Sequence, residues 1–117
     1  MAYDATHGFT VQEATNLKVY QDYKYVDITI NSTDIAAPDE SADWSSNPAK
    51  EITLTKKSGD DANTVSLKLK INGEYGNTIQ FLLSDFPLTI DGLLIQQIAF
   101  ATSNTATDEV LRLLSFH

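Results

Sequence analysis

No cysteine occurs in the 117-residue sequence, which removes disulfide frameworks and cysteine-based metal sites from consideration. Stability must come from packing, and a chain of this length can bury a sufficient core. Arginine is nearly as scarce, with Arg112 the only one. Acidic residues outnumber basic ones 16 to 8, for a formal charge of −8. Such a chain has no cationic field to displace counterions from nucleic acid. It also all but lacks the residue best suited to phosphate and guanine. An anionic membrane surface is disfavoured on the same grounds.

Long hydrophobic runs are missing too, and no window approaches the ~18 apolar residues of a membrane span. The opening residues, MAYDATHGFTVQEA, have neither the basic region nor the apolar run of a signal peptide. If Met1 is native, synthesis and folding in a cytoplasm are expected; otherwise an export signal could have preceded it.

Signatures of catalysis are equally sparse. Nothing resembles G-x-S-x-G, H-E-x-x-H or a phosphate-cradling glycine loop. The two histidines, His7 and His117, stand near opposite ends without an evident nucleophile or orienting partner, and both are expected to be solvated. Ser58, Asp60, Asp61 and Asn63 offer oxygen ligands, as do Asp34, Asp39, Glu40 and Asp43. Calcium takes several such oxygens, but the EF-hand spacing is absent and Asp and Ser are ordinary turn formers. The expectation is a non-enzymatic protein without a metal or cofactor.

What is present is alternation. In TVSLKLKI, Val65, Leu67, Leu69 and Ile71 share one face and Ser66, Lys68 and Lys70 the other, the period of a half-buried strand. The same period runs through Val26, Ile28 and Ile30, through Ile52 and Leu54, and through Ile79, Phe81 and Leu83. Ile98 and Phe100 continue the pattern. SGDDAN at 58–63 reads as the turn of an antiparallel hairpin joining 51–57 to 64–71. Asn72-Gly73, both tolerant of positive φ, opens a connection expected to exceed two residues. Asp91-Gly92 is a second turn signal between a short strand at Leu88 and Ile90 and another over 93–102. The segment 109–117 suits a short helix or a strand, and the all-β surroundings favour the strand.

About seven short strands separated by turns predict an all-β fold, a single-domain antiparallel β-sandwich or small barrel. Residues 1–16 read as a polar N-terminal arm with Phe9 and Val11 as its clear anchors, and 17–117 as the β-domain. Residues 32–50 carry two prolines, four serines and four acids and form the longest loop, with Trp44 inside it.

The overall composition, Cys-free and rich in Thr, Ser, Asn and Asp, resembles that of small virion proteins such as phage capsid decoration and other head or tail structural proteins. That resemblance implies a module that docks on its own copies or a capsid-like lattice, in a virion assembled in a host cytoplasm. The expected docking residues are Trp44 as apolar anchor, Asp39 and Asp43 in the acidic loop, Lys57, Lys68 and Lys70 on a lysine face, and Phe9 in the arm. The alternative is a carbohydrate-binding or adhesin β-sandwich module on an extracellular surface, with Tyr20, Tyr23, Tyr25 and Trp44 as a platform for a glycan.

Overall fold

The alternating runs become strands, but several take partners other than the expected ones. The computed structural model describes residues 20–117; the arm 1–16, with Phe9, Val11 and His7, lies outside them. The described strands are β1 (Tyr23–Ile30), β2 (Asp39–Glu40), β3 (Ala49–Ser58), β4 (Thr64–Ile71), β5 (Glu74–Tyr75), β6 (Ile79–Leu82), β7 (Leu88–Ile95), β8 (Gln97–Thr102) and β9 (Glu109–Phe116). A single 3-10 turn, Leu83–Asp85, follows β6. The last segment is thus a strand, with Leu111 and Leu113 buried and Arg112 exposed.

Two antiparallel sheets form an all-β sandwich. One has the order β1-β9-β3-β7; the other runs β2-β8-β4, with β5 and β6 both pairing β4. The first half of the chain pairs with the second throughout: β4 with β6, β3 with β7, β2 with β8 and β1 with β9. The chain is one long hairpin rolled up so that its rungs alternate between the sheets, which is a jelly-roll arrangement.

The expected hairpin of β3 and β4 does not form. β3 bonds to β7 and β9, and β4 to β5, β6 and β8. The two strands instead meet face to face, with Ile52 and Leu54 in the same core as Val65, Leu67 and Leu69. Alternation states which face is buried, not which strand supplies the hydrogen bonds. Gly59, at φ 140°, sits in the corner between them, where a Cβ would come within 2.9 Å of Leu83 Cδ1 and 3.0 Å of Glu109 Cγ.

Two turn signals also resolve differently. Asn72 and Gly73, with φ of 53° and 83°, make a two-residue turn between the opposed Ile71 and Glu74. The longer excursion comes after β5. Gly92, at φ 79°, lies inside a continuous β7 rather than ending a strand. The real break is Gln96, where the chain leaves one sheet for the other. Its N–H donates to Lys70 O, its carbonyl accepts from Trp44 N–H, and its side chain accepts from Gly73 N–H.

The core contains Ile30, Ile52, Leu54, Val65, Leu67, Leu69, Ile98 and Phe100 as expected, joined by Trp44, Leu83, Ile95, Leu111 and Leu113. Val26 and Ile79, both expected inside, are 48% and 42% exposed. One carboxyl is enclosed: Glu109 is fully buried, its Oε2 accepts from Thr102 Oγ1 at 2.5 Å, and its Oε1 has no partner among the described residues.

Candidate functional site

Register places side chains of neighbouring strands in rows, because directly opposed residues point to the same side of a sheet. On the outer face of the four-stranded sheet the first row is Tyr23, Phe116, Glu51 and Asp91. The second is Tyr25, Leu114, Thr53 and Thr89, with the two threonine hydroxyls 3.3 Å apart. The third is Asp27, Arg112 and Thr55. Tyr20 lies against this face, its ring 5.2 Å from that of Phe116 and its hydroxyl donating to Glu51 Oε1 at 3.1 Å.

The face is therefore graded. One end is aromatic, with Tyr23 67% and Tyr25 58% exposed. The other end is ionic, where Lys57 Nζ reaches Asp27 Oδ2 at 2.6 Å and Arg112 Nε lies 3.4 Å from Oδ1. The hydrogen bond from Lys57, aided by Arg112, holds the Asp27 carboxyl below its ordinary range against the opposing effect of desolvation. Rather than packing against the core, Tyr23 and Tyr25 stand in solvent, where a flat ring with a polar tip suits a contact surface.

The charged residues expected to form two separate patches are divided between the sheets, and several find partners within the chain. Lys57 is on β3, whereas Lys68 and Lys70 are on β4 in the other sheet, so they form no common lysine face. Lys70 Nζ lies 5.7 Å from the Tyr75 ring centroid, and the Tyr75 hydroxyl donates to Glu40 Oε2 at 3.2 Å. Burial, followed by the nearby Glu40 and Asp43, raises the Tyr75 phenol to about 12. Hydrogen bonds from the Ser45 hydroxyl and backbone, with a lesser contribution from Lys70, lower the Asp43 carboxyl. Asp39 Oδ2 accepts the N–H groups of Asn31 at 2.8 Å and Ser32 at 2.9 Å, which fixes the β1–β2 connection.

Trp44 is not an exposed anchor. It is 6% exposed, and its ring meets His117 edge-on at 5.1 Å. His117, expected to be solvated, is fully buried. Its Nε2 shares a hydrogen bond with Ser115 Oγ at 2.9 Å, and its Nδ1 lies 2.6 Å from Asn47 O. Trp44 therefore leaves the expected platform, while Tyr20, Tyr23 and Tyr25 stay together. Phe9 lies outside the described residues.

A second feature adjoins the first. β1 and β2 are the edge strands of their sheets on one side of the sandwich. Because β2 has only two residues, the core-facing side of β1 loses its cover along its length: Ile30 is fully buried, Ile28 half-buried and Val26 48% exposed. The result is an open cleft of about 540 Å³, with Lys24, Val26 and Ile28 on one wall and Glu40, Ala42 and Trp44 on the other. A strand of two residues such as β2 carries no alternation, so nothing local in the sequence marks this opening.

Among the described residues, no group of three or more His, Cys, Asp or Glu could hold a metal ion. The acids proposed as calcium ligands hold turns: Asp34 accepts Ala36 N–H, Asp60 accepts Ala62 N–H, and Asp61 pairs with Lys56. Comparison with protein-family models gives no match, and comparison with curated proteins gives none either.

Proposed function

We propose that the protein is a non-enzymatic structural module, a virion component of the capsid-decoration or head–tail kind, that docks on a repeating protein assembly through the outer face of the β1-β9-β3-β7 sheet. The observation that carries the reading is the exposed pair Tyr23 and Tyr25 beside Leu114 and Phe116. Exposed apolar patches with tyrosine at their centre mark protein contact surfaces. The jelly roll adds fold-level analogy, since viral capsid proteins and lectins both use it. Docking now rests on these tyrosines rather than on Trp44, because the indole is enclosed.

The test is the double substitution Tyr23→Ser with Tyr25→Ser. Both side chains point into solvent, so stability should change by less than about 1 kcal/mol. In particles banded on a density gradient, antiserum to the chain should detect the unaltered protein and lose it in the variant. An unaltered chain found only in soluble fractions sinks the virion reading.

The alternative is a glycan-binding or adhesin module at an extracellular surface, and the same face supports it. The tyrosine rings offer flat stacking surfaces beside the Glu51 carboxylate and the Thr53 and Thr89 hydroxyls. A glycan array separates the two: reproducible binding lost in the double variant selects this alternative.

A further inference from the structure

We infer that the free edge of β1 and the cleft beside it receive an extended segment of a second copy of this chain, namely the part of its N-terminal arm containing Phe9 and Val11. The inference deepens the assembly reading above but uses a different surface from the tyrosine face.

The edge is open in a defined way. Asp22 and His117 exchange backbone hydrogen bonds, so the pairing of β1 with β9 uses the even-numbered residues of β1. In an antiparallel ladder the alternate residues then direct their N–H and C=O groups outward. Tyr23 N–H is taken by the Asp22 carboxylate at 2.8 Å. The outward groups of Tyr25, Asp27 and Thr29 have no partner among the described residues. Three consecutive outward pairs on an eight-residue strand are a template for an added strand.

The cleft supplies the second half of such a site. A strand laid along β1 sends alternate side chains to the core side, where Val26 is exposed and Ile28 half-buried beside the Trp44 segment. Strand addition of this kind takes affinity from the backbone and selectivity from pockets for alternate side chains. Phe9 and Val11 are two residues apart, so both would enter the cleft, with Thr10 and Gln12 turned to solvent.

The arm is long enough, and the place where it joins the described domain favours another copy as acceptor. Nineteen residues precede Tyr20; extended, they reach about 60 Å, more than twice the ~27 Å of an eight-residue strand. Tyr20 is held over Phe116 of β9 and Glu51 of β3. Those strands lie on the opposite side of β1 from its free edge, so Tyr20, the first described residue, is anchored away from the chain's own acceptor edge.

The test uses two full-length variants. Phe9→Asp with Val11→Asp disables the donor. Thr29→Pro disables the acceptor, since Thr29 is exposed and proline on an edge strand removes only an outward N–H. Sedimentation equilibrium should show the unaltered chain self-associating and each variant doing so about tenfold or more weakly, the scale of losing a buried anchor. An equimolar mixture of the variants should regain association through one intact junction. Hydrogen exchange should show Tyr25 and Thr29 amides protected in the associated form. A monomeric chain with those amides protected means the arm closes on its own edge, and the inference fails. Association untouched by the donor substitutions means β1 pairs with β1 of another copy, and it fails again. Tyr23→Ser with Tyr25→Ser separates the proposals: loss of particle docking with self-association intact strikes only the tyrosine face.

Discussion

The Trp44 indole and the His117 imidazole meet edge to face, with centroids 5.1 Å apart, and between them they fasten the 41–48 segment to the end of β9. Trp44→Ala should therefore cost about 3–5 kcal/mol, the range for losing a large core side chain. His117→Ala strands the Asn47 carbonyl and the Ser115 hydroxyl and should cost about 1–3 kcal/mol. Urea denaturation measures both. Tryptophan emission should be blue-shifted at every dilution; a solvent-like maximum in the native protein would contradict the packing.

Gly59→Ala is expected to be among the most damaging single-methyl additions. The new Cβ would press on Leu83 Cδ1 and Glu109 Cγ, in a backbone conformation that side chains rarely adopt. The cost should be about 1–3 kcal/mol, read as a lowered midpoint in thermal unfolding. Gly73→Ala is a useful contrast, since open space surrounds that position and only the backbone term remains.

Tyr75 should ionise late in alkaline titration, near pH 12 against an ordinary 10. A phenol whose folded pKa is raised contributes stability that is complete below pH 10 and lost as pH rises towards 12. Glu40→Gln should bring the midpoint partway down. Burial, the largest cause, would remain. Absorbance at the phenolate band, compared with Tyr75→Phe, follows the change; an unmoved midpoint would mean that Glu40 has no part in it.

Asp27 acts with the opposite sign. Its folded pKa lies below the ordinary 3.8, so its contribution is present above that value and lost as pH falls through the lower folded one. Asp27→Asn should flatten this part of the acid unfolding curve and leave Lys57 and Arg112 close together without their shared counterion. Stability measured between about pH 2 and 5 checks it. The side chain is exposed, so the effect should be small and weaken with salt.

The sandwich was legible because alternation is a local record of burial. Ile52, Leu54, Val65, Leu67 and Leu69 read correctly for that reason. Which strands become neighbours is a long-range fact, and nothing local in SGDDAN distinguishes a hairpin from a corner between sheets. Val26 has the pattern of a core residue but faces the gap left by a two-residue β2. Trp44 and His117 look isolated in sequence because each finds its partner only after the roll closes. The tyrosines were visible as a cluster, and their outward direction follows from the parity set by Ile30. The enclosed carboxyl of Glu109 has no sequence signal: it sits at a strand end beside turn residues, where acids are common.

Gln96, where the chain passes from β7 to β8, is tied into the five-stranded sheet by more than chain continuity. Its backbone and side chain together bind the Trp44 segment, the end of β4 and the Asn72-Gly73 turn. The consequence is mechanical. A pull on the 40s segment divides between Gln96, which leads into the end of β4 and the Asn72-Gly73 turn, and His117, which leads into β9 of the other sheet, so load applied there is shared by both layers. The sandwich should yield under force as one body, with a single rupture event rather than a stepwise opening of its faces.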